Sequence, residues 1–330
     1  MNAELLPILK TFPGRRVLVW GDLILDEYIY TSTSRISREA PVLVTEFLSN
    51  RHLLGGAGNV VMNVRALEAN PIPIGFLGDD EDGATLLRLL RDQDIDTDHL
   101  LALPSHKTPK KSRIMSGGEN TKKQQVLRID TLNRHGIGEE HRRALEDRLL
   151  ALIEGNELLI VSDYIFESVH PRIFQSVRDA HPDLLITIDS RNHLIDFPGI
   201  TFATPNEPEL RRIFPGRGFR TESEFFSAGR ELLERLRASG VLLKRGQNGM
   251  IAFEPERPPM EIGIHGGTEI VDVTGAGDTV ISVFGLAVHA GAGIEASARL
   301  AAIAAGIVVM KEGAYPIHIH ELEKALAVAE

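Results

Sequence analysis

Short apolar segments alternate with longer segments of helical periodicity along this sequence, and that alternation constrains the fold more than any other feature. We predict core strands at residues 16–20, 74–77, 158–161, 185–189, 202–204 and 241–244. We predict helices at residues 60–67, 84–93, 139–153, 168–179, 222–238, 278–289 and 294–309. Several strands are apolar on both faces, as strands buried in a parallel sheet must be. The pattern predicts an α/β fold with a doubly wound, mostly parallel sheet.

Two segments, residues 29–47 and 108–130, interrupt the alternation because they are extended, more polar and contain no helix. We predict that they form a small β-sheet lid over the main sheet, within a single domain that covers residues 1–330. Pro255, Pro258 and Pro259 cluster in one short stretch, where they predict a turn between two strands.

The composition excludes several classes of protein. The chain has 36 Lys and Arg against 46 Asp and Glu, a formal net charge of -10, which disfavours general binding of nucleic acid or anionic lipid. It has no cysteine, which excludes disulfides and thiolate metal sites. The longest apolar run, Leu300 to Met310, is shorter than the roughly 20 residues of a transmembrane helix. We expect a soluble, cytoplasmic protein without nucleic-acid or membrane partners.

The strongest chemical signal is Asp272-Val-Thr-Gly-Ala-Gly-Asp-Thr-Val280, directly before a predicted helix. Gly275 and Gly277 allow a tight turn at a helix start, where N–H groups and the helix dipole favour an anion. We interpret Asp278 as a base that takes a proton from a hydroxyl attacking a phosphoryl group, while the amides of residues 275–277 stabilise the transferring phosphate. In the alternative interpretation, Asp278 only caps the helix.

A second glycine-rich segment, Gly55-Gly-Ala-Gly-Asn59, also precedes a predicted helix and brings backbone and an amide side chain toward a polyol. Asp22 ends the first predicted strand, and Asp26 lies just beyond it. Carboxylates at the carboxyl ends of parallel strands lie where α/β folds bind ligands, and they accept hydrogen bonds from sugar hydroxyls. The alternative is that these residues only form turns.

Two further motifs follow predicted strands. Asn206 and Glu209 have the spacing of a helix capping box, and Glu209 is also suited to organise a hydrated magnesium ion near phosphates. Lys244-Arg-Gly-Gln-Asn-Gly249 combines a cation with two glycines, which suits either a nucleotide-binding loop or a plain hairpin.

In their order and spacing these motifs resemble the ribokinase-like, phosphofructokinase-B type carbohydrate kinases, from about residue 16 to residue 316. The resemblance implies ATP as phosphoryl donor, Mg²⁺, and a sugar or sugar phosphate as acceptor. Asp278 matches the family's catalytic base, and the anion hole corresponds to Gly275, Ala276 and Gly277. The other implied positions are Asp22, Gly55, Gly56 and Asn59 for the sugar, Asn206 and Glu209 for magnesium and phosphate, and Lys244, Gly246 and Gly249 for the nucleotide.

Many members of that family bind a monovalent cation such as K⁺ beside the anion hole. The resemblance places this site at Asp272, the carbonyl of Thr274, Val308 and Gly313. We also expect a homodimer, because lid strands with exposed edges often pair between subunits.

Within the family, the sequence is similar to the D-glycero-β-D-manno-heptose 7-phosphate kinases at residues 21–28, 33–42, 55–63 and 124–130. Those kinases phosphorylate the anomeric hydroxyl of a sugar that already carries a phosphate. The chain departs from their pattern after Tyr164, where Ile-Phe-Glu follows, and after Asp189, where Ser190 and Arg191 follow.

A basic stretch fits that substrate, because its only acid is Glu119 and its cations are suited to hold a phosphate. In the alternative interpretation, lysines on exposed lid strands discourage edge pairing. Its cations are Lys107, Lys110, Lys111, Arg113, Lys122 and Lys123.

Other functions remain as alternatives at this point. They are a kinase for fructose, ribose or a sugar acid, an NAD-dependent dehydrogenase, and a non-catalytic sugar-phosphate sensor. Gly56-Ala-Gly58 can begin a dinucleotide fingerprint, but Val61 occupies the third glycine position. His318 and His320 alone are too few ligands to predict a metal site.

Overall fold

The structure, a computed structural model, describes residues 4–104, 106–118, 123–133, 136–266 and 270–328. Glu119 and Lys122 of the predicted basic stretch lie outside the described residues. In chain order the strands are β1 (Arg16–Gly21), β2 (Leu23–Ile36), β3 (Leu43–Gly56), β4 (Asn70–Gly78), β5 (Leu100–Leu103), β6 (Lys110–Ser116), β7 (Gln124–Thr131), β8 (Leu158–Asp163), β9 (Leu185–Ser190), β10 (Phe202–Ala203), β11 (Gly240–Lys244), β12 (Met250–Phe253) and β13 (Met260–Ile262).

The α-helices pack mainly on the two faces of the larger sheet. They are α1 (Leu5–Leu9), α2 (Ala57–Ala66), α3 (Glu81–Arg91), α4 (Glu139–Ile153), α5 (Pro171–Ala180), α6 (Glu207–Ile213), α7 (Glu222–Leu236), α8 (Ala276–His289), α9 (Ile294–Val308) and α10 (Ile319–Val328). Within the part of the chain that the structure describes, no helix has both the length and the apolar character needed to cross a membrane.

The larger sheet contains nine strands among the described residues, in the order β13-β12-β11-β10-β9-β8-β1-β4-β5. Neighbours from β11 to β5 pair in parallel, and the β11–β12 and β12–β13 pairs are antiparallel. The predicted doubly wound, mostly parallel sheet is therefore confirmed. The sequence pattern did not predict β5, β12 and β13 individually, but the turn predicted from the prolines does join β12 to β13.

Successive residues of β1 show why its sequence is apolar without alternation. Val17 and Val19 pack in one hydrophobic core, together with helices α2, α8 and α9. Leu18 and Trp20 pack in the other core, together with helices α4, α5 and α7. Because successive side chains point to opposite faces, a strand between two helical layers must be apolar at every position.

The helix predicted at residues 168–179 is shorter than expected, because α5 begins only at Pro171. Residues 164–168 instead form a loop whose N–H groups bond to a buried carboxylate. The sequence pattern also missed α1 and α10, whereas the capping-box spacing of Asn206 and Glu209 did indicate the start of α6.

The second sheet has the order β3-β2-β6-β7 among the described residues. Strand β2 is antiparallel to β3 and parallel to β6, which pairs antiparallel with β7. Strand β2 begins two residues after β1 ends, and β3 ends where α2 begins. The predicted segments lie largely in this sheet, but its first two strands extend further toward the main sheet than predicted. They therefore carry polar side chains directly to the carboxyl ends of the core strands.

Candidate active site

A cavity of about 910 Å³ lies between the lid and the carboxyl ends of the main-sheet strands. Loops after β8, β9, β10 and β11 form its floor, the lid forms one wall, and α8 and α9 form another. Ligands of doubly wound folds bind at this edge. The volume is near the upper end of the roughly 300–1,000 Å³ of small-molecule sites, so it suits a large ligand or two adjacent ones.

Asp278 lies at the centre of this cavity, in the first turn of α8. Its side chain is buried, and its two carboxylate oxygens bond to different parts of the fold. Asn59 Nδ2 of α2 donates to Oδ2 at 2.8 Å, and the Tyr164 hydroxyl donates to Oδ1 at 2.9 Å. Side chains from α2 and from the loop after β8 thus hold the carboxylate. The alternative interpretation, in which Asp278 only caps the helix, does not hold.

Burial raises the pKa of Asp278 to about 6, and the nearby Asp189 carboxylate acts in the same direction. Hydrogen bonds from Asn59 and Tyr164, and the charge of Lys244, oppose this increase. A carboxyl group with such a pKa is ionised at neutral pH and still basic enough to accept a proton from a reacting hydroxyl.

Glycine occupies two positions at the start of α8, with different structural consequences. Gly275 has φ of +80°, and a Cβ there would lie 2.5 Å from Asn59 Nδ2. At Gly277 a Cβ would lie 3.3 Å from Lys244 Nζ and 3.4 Å from Asp189 Oδ2. The missing side chains leave a cradle at a helix start, where an anion is favoured. The Ala276 N–H already donates to the Val273 carbonyl at 3.3 Å.

Asn206 and Glu209 form the predicted capping box of α6. The Glu209 N–H donates to Asn206 Oδ1 at 2.9 Å, and the Asn206 N–H donates to Glu209 Oε2 at 2.8 Å. Burial and the Asp189 carboxylate raise the pKa of Glu209 to about 7, against the charge of Lys244. Both motif residues line the cavity, so the capping role and a ligand role are compatible.

The donor set near Glu209 suits a magnesium ion that keeps phosphate or water ligands, because Mg²⁺ prefers oxygen and is seldom held by protein alone. Among the described residues, no group of three or more His, Cys, Asp or Glu side chains forms a metal cage. Phosphate oxygens or water must therefore complete any coordination shell here.

The segment from Lys244 to Gly249 is both a hairpin and part of the cavity wall. It joins β11 to the antiparallel β12, and Lys244, Gly246 and Gly249 all line the cavity. Gly249 has φ of +75°, and a Cβ there would lie 2.1 Å from the Ile262 carbonyl oxygen. The segment is thus a hairpin that also lines the cavity, and its role in nucleotide binding stays a prediction.

On the lid side, Arg113 Nη1 donates to Asp26 Oδ1 at 2.7 Å, and both side chains are largely buried. A Cβ at Gly55 would lie 2.5 Å from Asp26 Oδ2, so glycine makes room for this carboxylate. Asp26, Gly55, Gly56, Asn59 and Arg113 all line the cavity, and the structure thereby brings together this part of the predicted sugar site.

The structure does not support the predicted role of Asp22 in sugar binding, because the carboxylate of Asp22 faces away from the cavity. It accepts hydrogen bonds from the backbone N–H groups of Tyr164, Phe166 and Ser168, at 2.8, 2.9 and 2.9 Å. Only 1% of the residue is exposed, and burial raises its pKa to about 6. Asp22 therefore anchors the loop after β8, and a sugar hydroxyl has no access to it.

The basic stretch contributes less to the cavity than predicted. Lys110 pairs with Asp82, Lys123 donates to the carbonyls of Gly117 and Gly118, and Lys107 is exposed. None of these three side chains lines the cavity.

Besides Lys244 and Arg245 of the hairpin segment, four cations line the cavity: Lys111, Arg113, Arg128 and Arg191. Burial and the positive charge of Arg191 lower the pKa of Lys111 to about 8. A bound anion would oppose this decrease, because it would stabilise the charged ammonium.

The expected monovalent-cation site is only partly assembled around Asp272. Its Oδ1 accepts from the Thr274 N–H at 2.9 Å and its Oδ2 from the Gly313 N–H at 3.0 Å. The Val308 carbonyl accepts the Lys311 N–H at 3.0 Å, as part of the end of α9.

Sequence reasoning missed three residues that line the cavity. Tyr164 follows β8 directly, Asp189 lies near the end of β9, and Arg191 follows β9. Their signal was their position at or directly after the ends of core strands. Sequence reasoning also missed an apolar wall, formed by Ile264, Ile270, Val280, Ala302, Ala305 and Val309.

Together, the doubly wound sheet, the lid and the buried acid beside a glycine-rich helix start define a carbohydrate kinase. Residues 15–320 match the pfkB family carbohydrate kinases, and the chain belongs to this family. A bifunctional protein HldE from Desulfatibacillum aliphaticivorans is 35% identical over 319 residues, which are 96% of this chain and 64% of that relative. The chain thus spans slightly less than two thirds of the length of that relative.

Solved structures share the fold. Arabidopsis thaliana ribokinase, complexed with ribose and ATP, has a TM-score of 0.72 and 20% identity, covering 95% of this chain and 98% of that one. Escherichia coli phosphofructokinase-2, in complex with potassium, has a TM-score of 0.76 and 19% identity, covering 96% and 99%. The predicted ribokinase-like fold is confirmed, and the dehydrogenase alternative is wrong.

Proposed function

We propose that the protein transfers the γ-phosphoryl group of ATP to a hydroxyl of a phosphorylated sugar, with Asp278 as the base. The observation that carries this proposal is the buried Asp278 carboxylate, held by Asn59 and Tyr164 beside the glycine cradle. Acid, cradle and the Lys244 cation lie in one cavity. These are the parts that phosphoryl transfer to an alcohol requires.

In the proposed step, Asp278 accepts the proton of the sugar hydroxyl as its oxygen forms a bond to the γ-phosphorus. The bond from that phosphorus to the bridging β–γ oxygen breaks, and the electron pair leaves with ADP. The backbone of residues 275–277 and the Lys244 ammonium line the same cavity, where they would stabilise the charge on the transferring group. Asp278 then releases its proton to solvent, which restores the carboxylate.

The nucleotide lies along the hairpin from Lys244 to Gly249, with its base against the apolar wall defined above. This wall and the hairpin are continuous around the same cavity. Asn206 and Glu209 face the phosphate end and would hold Mg²⁺ through oxygen atoms or water. When bound, Mg²⁺ would neutralise negative charge on the phosphates. ATP is supplied in the cytoplasm, where this proposal places the protein.

The acceptor is a sugar phosphate because Lys111, Arg113, Arg128 and Arg191 meet at the lid side of the cavity. Asp26 pairs with Arg113 and Asp130 pairs with Arg128, which leaves the charges of Lys111 and Arg191. The remaining charge suits a phosphate dianion. Within this class we propose heptose 7-phosphate, phosphorylated at the anomeric hydroxyl, on the basis of the motif similarity and the HldE relatives. Fructose, ribose or a sugar acid is the alternative acceptor.

A monovalent cation near Asp272 is part of the proposal. Support comes from the potassium complex of the structurally similar phosphofructokinase-2 and from the convergence of Asp272, Thr274 and Gly313. Rates measured in K⁺ and in tetramethylammonium salts test this part, and equal rates would exclude it.

A homodimer through the lid is also proposed, because β3 and β7 are the sheet edges and carry exposed apolar side chains. These include Leu43, Phe47, Leu48, Leu127 and Ile129. Light scattering should give the mass of two chains, and Phe47→Asp should shift it toward one. A monomer mass for the unaltered chain would exclude this interface.

A panel of sugars and sugar phosphates, assayed by ADP release with ATP and Mg²⁺, tests the function. We expect heptose 7-phosphate to react and Asp278→Asn to lower kcat by about 10³-fold or more with folding intact. The matched control is Asp147→Asn on the exposed face of α4. Strong activity on an unphosphorylated sugar alone would refute the acceptor class. Sugar-phosphate binding without ADP release from any substrate would indicate the sensor.

A further inference from the structure

We propose that Tyr164 is a positioning residue, which fixes the Asp278 carboxylate in the orientation needed for proton transfer. This inference rests on the proposed role of Asp278 as base. Tyr164 follows β8 directly, on the opposite side of Asp278 from Asn59. Each carboxylate oxygen thus receives one hydrogen bond, at 2.8 and 2.9 Å, from a different element. Two such donors fix both the side-chain torsions and the plane of the carboxylate.

The Tyr164 ring is itself held in place by two cations. Arg191 lies 4.3 Å from the ring centroid and Lys111 lies 5.0 Å from it. Cations near the face of an aromatic ring are attracted to it electrostatically, and the more so when they are desolvated. Because both cations belong to the proposed sugar-phosphate side of the cavity, the ring links that side to the base.

The backbone around Tyr164 is fixed by Asp22, whose carboxylate accepts three backbone hydrogen bonds from residues 164–168. Trp20 Nε1 also donates to the Ser168 carbonyl at 2.8 Å. Within this loop Ile165 has φ of +69° and Glu167 has φ of +71°. A β-branched residue at positive φ is strained, and such strain persists only where surrounding contacts impose it. The buried Asp22 anchor supplies these contacts and holds Tyr164 toward Asp278.

Tyr164 acts as a hydrogen-bond donor and has no role as an alternative base. Burial and the negative charge of Asp278 raise the pKa of Tyr164 well above its usual value, so its hydroxyl stays protonated. Its donation lowers the pKa of Asp278. The other charged groups facing Asp278 are Asp189 on β9, which raises that pKa, and Lys244 on β11, which lowers it. Removing the hydroxyl should therefore raise the pKa of Asp278.

Tyr164→Phe tests the proposal because it removes the hydroxyl and keeps the ring between its two cations. We expect kcat to fall about tenfold, as for loss of one hydrogen bond to a charged group. The KM values for ATP and sugar phosphate should change less than about twofold, because the binding contacts remain. The acidic limb of the kcat/KM profile should move to higher pH. Tyr315→Phe is the matched control, because it also removes a tyrosine–carboxylate hydrogen bond, to Glu321, outside the cavity.

A second variant secures the test if Tyr164→Phe folds poorly. Site-specific 3-fluorotyrosine at position 164 has a more acidic hydroxyl and donates more strongly, so the acidic limb should move to lower pH. An unchanged pH profile in either folded variant overturns the proposal, and so does a change confined to KM. If Asp278→Asn is inactive while Tyr164→Phe equals the wild type, only the positioning role fails. An active Asp278→Asn would instead refute the proposed base.

Discussion

Lys244 Nζ and Asp189 Oδ2 form an ion pair of 2.6 Å on the floor of the cavity, directly beside Gly277. Both side chains are largely buried. Burial opposes the ammonium charge, but the carboxylates of Asp189 and Glu209 together raise the pKa of Lys244. The pair therefore holds a permanent cation against the glycine cradle, where the phosphates of the nucleotide are proposed to lie.

Lys244→Gln should weaken both nucleotide binding and folding. It leaves the Asp189 carboxylate without its partner, and because some exposure remains we expect less than the roughly 3–5 kcal/mol lost on breaking a fully buried pair. The KM for ATP should rise about tenfold or more. Thermal unfolding and ADP-release kinetics measure the two effects.

The double variant Lys244→Gln, Asp189→Asn separates these effects. Removing the second charge should restore part of the stability, since no unpaired carboxylate remains. The ATP KM should stay high because the cation is still missing. Recovery of the ATP KM in the double variant would show that Lys244 serves only to neutralise Asp189.

The two glycines of the cradle should respond in opposite ways to alanine. Gly277 lies in the first turn of α8, and its substituted Cβ would meet neighbours at 3.3 and 3.4 Å, so Gly277→Ala should fold. It should gain up to about 1 kcal/mol from helix propensity. It should nevertheless lose kcat about tenfold or more, because the methyl group enters the proposed phosphate site.

Gly275→Ala should instead lower stability, since φ is +80° and its Cβ would lie 2.5 Å from Asn59 Nδ2. Urea unfolding and steady-state kinetics on both variants test the contrast. Equal stability losses, or full activity of Gly277→Ala, would contradict this account of the cradle.

Asp278 should make the protein less stable at neutral pH than in weak acid. Burial raises its pKa from 3.8 to about 6, so between these values the folded state holds a proton that the unfolded chain has released. The free energy of unfolding therefore falls as pH rises through this range. A difference of this size in pKa corresponds to about 3 kcal/mol.

Asp278→Asn removes this charge, so its stability relative to the wild type should increase by about 3 kcal/mol from pH 4 to pH 7. Urea unfolding of both proteins at several pH values provides the measurement. Asp147→Asn serves as the exposed control. Wild-type and Asp278→Asn curves that stay parallel with pH would show that Asp278 carries no such penalty.

The sequence was sufficient for those parts of the fold in which a local pattern has one structural solution. Residues 17–20 of β1 and 158–161 of β8 are all apolar because helices cover both sheet faces, and the start of α8 has glycines where the cradle needs them. The positions of Asp22 and Asp26 were harder to distinguish. Both follow β1 closely, and only the three-dimensional path of the loop after β8 decides that Asp22 is enclosed while Asp26 lines the cavity.

Within the basic stretch, strand periodicity would have distinguished some cations that face the cavity from one that does not. Lys111 and Arg113 are two residues apart on β6 and face the cavity, while Lys110 faces the other side and pairs with Asp82. The positions of Tyr164 and Arg191, by contrast, could not be predicted from periodicity. Tyr164 contacts Asp278 and Arg191 from a loop with positive φ at Ile165 and Glu167, which no local propensity encodes.

Arg191→Gln should affect the sugar phosphate selectively. Arg191 lies at the lid side of the cavity, and its charge helps to lower the pKa of Lys111 to about 8. We expect the KM for the sugar phosphate to rise about tenfold, as for loss of one charge-assisted contact, with the KM for ATP nearly unchanged. Lys110→Gln is the matched control, because Lys110 pairs with Asp82 outside the cavity.

The pH dependence gives the same hypothesis a second test. In the wild type, Lys111 loses its proton as pH rises through about 8, so sugar-phosphate KM should increase above that pH. In Arg191→Gln the repelling charge is gone, the pKa of Lys111 should be higher, and this increase should begin at a higher pH. Steady-state kinetics from pH 6 to pH 10 measure both curves. An unchanged sugar-phosphate KM in Arg191→Gln, or an equal rise in the KM for ATP, would contradict a phosphate site at these cations.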